Sequence, residues 1–164
     1  IFAVVIWEAV IIALLFLLRM GSGSGKKENA FEDKITAIEN ERREIEVFVN
    51  ADSDYVEQPG EHRWNRDADD QKVKIYIYPE SSDDSIHEEY YYWDGNCTYA
   101  RTWTDNNEFD QYYYDEDGIL IRWIDKDGNW HDQETENREF LDRGQYYWNK
   151  ALEEMGKMQN GISD

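Results

Sequence analysis

The stretch Tyr112–Trp130, YYYDEDGILIRWIDKDGNW, constrains the fold more than any other part of this chain. An aromatic run reaches Asp-Glu-Asp-Gly, an apolar run follows, and a second break comes at Asp-Lys-Asp-Gly. Gly supplies the positive φ that tight turns need and Asp bonds to its own backbone, so each break reads as a turn and each run as a strand. The pattern has an earlier copy. YYYWDG at Tyr90–Gly95, then Arg101-Thr-Trp-Thr-Asp105, echoes YYYDEDG at Tyr112–Gly118, then Arg122-Trp-Ile-Asp125. The 22-residue offset suits a hairpin plus its connection, and makes Asp94-Gly95 and the Tyr114–Gly118 break equivalent turns.

Upstream, KVKIYIY at Lys72–Tyr78 alternates apolar and polar side chains until Pro79 stops it. With Ile86–Trp93, Cys97–Thr104, Phe109–Tyr114 and Ile119–Ile124 it gives a five-stranded antiparallel meander. A helix starts at Glu28, with Phe31, Ile35, Ile38 and Ile45 on one face. A second runs from about Glu134 to Met155, with Phe140, Leu141, Trp148, Leu152 and Met155 on one side and Gly156 as its stop. Two amphipathic helices and one sheet with an apolar face make an α+β layer arrangement. Residues 50–71 are polar and read as a long loop, functional or loosely ordered. Trp64, beside Arg63 and near Arg66, either anchors that loop on the sheet or contacts a ligand.

Residues 1–18, IFAVVIWEAVIIALLFLL, are apolar except for Glu8 and as a helix span roughly 27 Å, close to a bilayer's hydrocarbon thickness. Thirteen of them are Ile, Leu, Val or Phe. Their insertion gain of roughly 4–8 kcal/mol exceeds a cost of about 3 kcal/mol for one carboxylate. The run is longer than a signal-peptide core and is followed by Arg19-Met20 rather than a small-residue cleavage site. Residues 1–20 are therefore read as a single-pass transmembrane anchor, 21–27 with GSGSG as a flexible linker, and 28–164 as an acidic α+β domain. A chain opening on Ile1 implies a segment upstream. Arg19, Lys26 and Lys27 lie on the side that the positive-inside rule gives to the cytoplasm, and the missing flank leaves orientation open.

The formal net charge is −20, and removing residues 1–25 takes away only Arg19 and Glu8, so the polar part carries all of it. Phosphate recognition needs clustered Lys and Arg, which excludes a nucleic-acid partner. Cys97 is the single cysteine, so neither an intrachain disulfide nor a Cys-based zinc site can form. Asp115-x-Asp117-Gly118 and Asp125-x-Asp127-Gly128 resemble calcium loops but put Ile124 or Trp123 where an essential ligand belongs, so both read as turns and no metal or cofactor is expected. His62, His87 and His131 fall at no ligand spacing. A nucleophile elbow, a P-loop and a dinucleotide fingerprint are all missing from the sequence.

The YYYDEDGILIRWIDKDG segment followed by an acidic helix with an aromatic face resembles extracytoplasmic domains of uncharacterised membrane-anchored proteins from Gram-positive bacteria. The likeness covers about residues 88–156. It implies a transmembrane helix followed outside the cell by a helix and an aromatic sheet, and it carries no activity over. Tyr114-Asp115-x-x-Gly118-x-Leu120 is also similar to the tyrosine-aspartate repeats of secreted toxin shells.

The aromatic surplus, 7 Trp and 12 Tyr, puts rings on both faces of the sheet. On Cys97–Thr104, Tyr99, Arg101 and Trp103 share one face. Together with Trp64 they are the candidate ligand-binding residues, since Tyr, Trp and Arg dominate contact surfaces. Trp123, with Ile119 and Ile121 at two-residue steps, is assigned to the core. The expected function is a membrane-anchored, non-enzymatic extracytoplasmic domain that binds a glycan or protein. The alternative is a glycan-active hydrolase using a carboxylate pair.

Overall fold

The computed structural model describes residues 28–51, 56–58, 60–65, 72–79, 86–104 and 108–160. The chain divides into two compact units, Ile1–Ala37 and Ile38–Asp164. In the first, residues 28–37 are described and are helical. The proposed anchor and linker lie outside the described residues, among which no helix is long and apolar enough to cross a membrane.

Helix α1 comprises residues 28–51. The strands are β1 (Val56–Gln58), β2 (Glu61–Asn65), β3 (Val73–Ile77), β4 (His87–Trp93), β5 (Asn96–Trp103), β6 (Phe109–Tyr114), β7 (Leu120–Ile124) and β8 (Trp130–Asp132); helix α2 (Arg138–Asn160) closes the chain. The strands form one antiparallel sheet in sequence order, β1 through β8. All five expected strands are present, as β3–β7. The expected five-stranded count is too small, because β1 and β2 form a hairpin within the supposed loop 50–71 and β8 adds the far edge. Gln58 pairs with Glu61 around Gly60, whose φ is 78°. The polar sequence of β2, EHRWN, has no apolar alternation to announce a strand.

Strand alternation sorts the side chains into two faces with different chemistry. On the first, Val73, Ile75, Tyr90, Tyr92, Cys97, Ala100, Tyr112, Tyr114, Leu120 and Trp123 form the main core with Phe140 and Ala151 of α2. The tyrosines suit this layer because each ring is buried while its hydroxyl finds a partner. Tyr92 donates to the Ala151 carbonyl at 2.7 Å, and Tyr114 donates to that of Gly144 at 3.0 Å. At Gly144 the helix comes close to β7. A Cβ there would sit 2.7 Å from Cβ of Leu120, so a glycine lets the helix backbone lie against β7.

The second face meets residues 38–51 of α1. A row of paired positions crosses the strands: Lys74, Tyr91, Tyr99, Tyr113, Arg122. α1 lies over it. Glu39 accepts from the Tyr113 hydroxyl at 2.7 Å, the Arg42 guanidinium lies 5.2 Å from the Tyr99 ring centre, and Glu46 accepts from Tyr91 and from Lys74. Ile38, Ile45 and Phe48 supply the buried apolar part. Of the expected α1 face, Ile35, Ile38 and Ile45 are buried and Phe31 is part-exposed, and Phe48 extends the buried face by one step of three.

Four expectations need correction. α2 begins at Arg138 because Asn137 caps it, its side chain accepting from the Glu139 and Phe140 amides at 3.0 and 3.3 Å. The helix runs through Gly156 to Asn160. Of its expected face, Phe140 is buried and Trp148 and Met155 pack against the core, whereas Leu141 and Leu152 are about half exposed and Ala151 and Glu154 are buried in their stead. Ile119 precedes β7 and is 58% exposed, because a bulge between Tyr113 and Tyr114 shifts the register, while Ile121 and Trp123 are buried.

The turns also differ from the expected echo. Asp94 and Gly95 form a two-residue turn with φ of 49° and 79°. The true repeat is Asp115–Gly118 against Asp125–Gly128. In each, the first Asp carboxylate accepts two backbone N–H groups, from Asp117 and Ile119 in one loop and from Asp127 and Asn129 in the other. Gly118 and Gly128 have φ of 76° and 82°. These carboxylates are turn residues.

Candidate functional site

The candidate residues fall in three successive cross-strand rows on the α1 side of the sheet. Tyr99 belongs to the row under α1. It is 1% exposed, edge-on to Tyr91 and Tyr113 at 5.4 and 5.1 Å, and its hydroxyl donates to Gln111 at 2.9 Å. Burial pushes its phenol pKa well up. Tyr99 is thus a structural residue, and its expected place in a ligand site is not supported by its position. Trp64 pairs with Lys74 in the same row, and its side chain lies outside the described residues.

Arg101 lies one row further out, where Tyr76, Glu89, Arg101 and Gln111 are paired in turn. Glu89 is the hub of a charge cluster. It accepts from Arg101 and from Tyr91, and Lys74 sits 3.1 Å away while also bonding Glu46 at 2.8 Å. Two cations against two carboxylates leave this patch close to neutral, as a part-buried charge group requires. Burial raises the Glu46 pKa, but the bonds from Lys74 and Tyr91 outweigh it, and the carboxyl ends below its ordinary value. Burial likewise acts against Arg101, and Glu89 more than offsets it, so the guanidinium stays charged.

The third row is aromatic and only part-buried. His87 pairs with Trp103, and Trp103 with Phe109. The Tyr76, His87 and Trp103 rings are parallel within 8°, with centres 5.1–6.0 Å apart. The Tyr76 hydroxyl and His87 Nδ1 are 2.8 Å apart. Imidazole nitrogens bond in their ring plane, so these two rings meet edge to edge while both run parallel to the indole. Phe109 and the Arg101 guanidinium flank the indole at 5.9 and 5.2 Å. Arg101 and Trp103 are therefore brought together as expected, joined by Tyr76, His87 and Phe109. Tyr76 and His87 were missed in the sequence, because only the cross-strand register, His87 opposite Trp103 and Tyr76 in the Arg101 row, brings them to the candidate residues.

The buried carboxylates are tied into the structure. Glu88 accepts from Tyr90 and pairs with Lys150 of α2, and Glu154 pairs with Lys157 at 2.7 Å. Cys97 is buried and its thiol pKa is pushed up to about 12 by burial, which makes it a packing residue. Among the described residues no group of three or more His, Cys, Asp or Glu could hold a metal ion. No protein-family model, curated protein or solved structure matches this chain.

Proposed function

We propose that this protein is a non-enzymatic binding domain, held on the outer side of a membrane by residues 1–18, whose contact surface is the Arg101–Trp103 end of the sheet. The observation that carries the reading is the contrast between rows. Tyr91, Tyr99 and Tyr113 are sealed beneath α1, whereas Tyr76, His87, Trp103 and Phe109 on the same face remain part-exposed. Ile86, next to His87, is exposed, and so is Glu108, next to Phe109. Trp, Tyr and Arg clustered around an apolar centre are the composition of an interface hot spot.

The ligand class that fits is a protein segment bearing Lys or Arg. A sugar stacks on an open ring face, and here the Trp103 indole is already stacked against Tyr76 and His87 with the Arg101 guanidinium beside it. The edges and the guanidinium are what a protein surface would meet. A net charge of −20 steers basic partners in and repels acidic ones. The membrane attachment rests on the apolar run, and the outward placement on the resemblance to extracytoplasmic domains.

Panning a random peptide library against the full chain in detergent micelles tests this. Peptides enriched in Lys, Arg and aromatic residues should emerge and bind Trp103→Ala and Arg101→Ala at least tenfold more weakly, the loss of about 1.4 kcal/mol that marks a contact residue. Binders indifferent to both substitutions, or selection of acidic peptides, would refute the assignment.

A further inference from the structure

His131 lies on the opposite face of the sheet from the contact surface, and both of its ring nitrogens are engaged by carboxylates. Nε2 is 3.2 Å from an Asp125 oxygen and Nδ1 is 3.0 Å from a Glu134 oxygen. A neutral imidazole carries one N–H and one lone pair, so it can satisfy only one carboxylate. Two carboxylate partners therefore select the imidazolium. The ring also lies flat on Trp123, its cross-strand partner, with centres 4.4 Å apart.

The three residues belong to different pieces of chain. Asp125 opens the turn between β7 and β8, His131 is the middle residue of β8, and Glu134 lies in the connection to α2. β8 has only three residues to hold it to β7, and just beyond it the Gln133 amide donates to the Ile121 carbonyl at 3.0 Å. We propose that His131 is a proton-operated latch, which as an imidazolium ties the β7–β8 turn to the connection before α2 and on losing a proton releases one of them and frees β8.

The surrounding charges are consistent with that role. Asp125 also accepts from Asn129 and from backbone amides, and Glu134 from Asn137, so both carboxylates are fixed in place before the imidazole meets them. From α2, Arg143 lies over the Trp123 ring at 4.6 Å and pairs with Asp110 at 3.9 Å, and Asp110 also accepts from the Trp123 indole. Asp132 is bound by Arg122. Burial works against the imidazolium, but the bonds to Asp125 and Glu134 outweigh it and raise the His131 pKa above 6.5. A raised folded-state value sets the direction. The latch is fully closed below about pH 6.5, the unfolded value, and opens as pH rises through the higher folded value. Freeing β8 uncovers the edge of β7, a strand of mostly apolar residues with unpaired backbone groups.

Amide exchange of the full chain in detergent micelles, corrected for the intrinsic pH dependence of exchange, tests the latch at Gln133. Protection should be constant at low pH and fall as pH rises, following the His131 imidazole signals. Each pKa unit above 6.5 is a tenfold change in the closed-to-open ratio. His131→Gln should show low, pH-independent protection. If that variant fails to fold, Glu134→Gln decides, since removing one carboxylate should lower the midpoint and shrink the fall. A midpoint at or below about pH 6.5, flat protection in the parent, or an unchanged fall in Glu134→Gln would overturn the proposal.

Discussion

Gly144→Ala is the sharpest test of how α2 sits on the sheet, because two effects of similar size oppose each other. In an exposed helix interior, alanine would stabilise by up to about 1 kcal/mol over glycine. Here the new methyl would lie 2.7 Å from Cβ of Leu120 and 3.0 Å from its Cδ2, against an optimum of about 3.5–4.0 Å. Relief requires α2 to retreat by nearly an ångström. The 3.0 Å bond from the Tyr114 hydroxyl to the Gly144 carbonyl would then stretch beyond hydrogen-bonding range. Overpacking costs about 1–3 kcal/mol and the lost bond about 0.5–1.5 kcal/mol. After the propensity gain, the net destabilisation is about 0.5–3.5 kcal/mol. Gly156→Ala is the matched control, because a Cβ there meets nothing within 4 Å, so propensity alone acts and the change should stabilise. Urea unfolding of residues 26–164 should rank Gly156→Ala above the parent and the parent above Gly144→Ala. In the double variant with Leu120→Ala, part of the Gly144→Ala penalty should vanish. A neutral or stabilising Gly144→Ala would refute the close approach.

Trp123→Ala should cost about 3–5 kcal/mol in urea unfolding, as large aromatic truncations in cores do. Trp103→Ala, losing pair contacts at a part-exposed site, should cost about 1–2 kcal/mol, and the reverse order would sink the face assignment. Glu39 and Glu46 both have depressed folded pKa values, burial being outweighed by bonds from Arg42 and Tyr113 in one case and from Lys74 and Tyr91 in the other. Their contribution is thus present above the usual glutamate range and lost as pH falls below it. Acid unfolding of Glu39→Gln/Glu46→Gln should consequently be shallower than that of the parent, and equal slopes would contradict the pairing. Deleting residues 1–25 should leave a soluble folded monomer with its near-ultraviolet aromatic signal intact; aggregation with loss of that signal would place residues 1–18 in the core.

Strands β3–β7 were legible because alternating side chains and Asp-Gly breaks specify period and ends together. β2 was not, since its residues Glu61–Asn65 are polar on both faces and only Gly60 marked a turn. β8 is three residues long and depends on tertiary pairs, Arg122 with Asp132 and Trp123 with His131, that no local pattern announces. Alternation correctly put Tyr99, Arg101 and Trp103 on one face. It could not say that α1 would cover the Tyr99 row and stop short of the Trp103 row, because helix placement depends on Glu39, Arg42 and Glu46 finding partners across the fold. In α2 the spacing correctly put Phe140, Trp148 and Met155 against the core but drew the face too wide. Small residues also mark the contact line there, the carbonyls of Gly144 and Ala151 accepting from the Tyr114 and Tyr92 hydroxyls, whereas a count of large apolar residues adds the exposed Leu141 and Leu152.

The contact surface itself is tested most directly by following the indole N–H resonances of the 7 tryptophans while a selected basic peptide is titrated into the full chain in micelles. Trp103 should shift and saturate with the peptide, while Trp123, beneath Arg143 of α2, and Trp148 of α2, packed on Tyr114 at the opposite face, stay in place. Saturable movement of Trp148 or the exposed Trp130 with Trp103 unmoved would contradict the account and put the binding surface elsewhere.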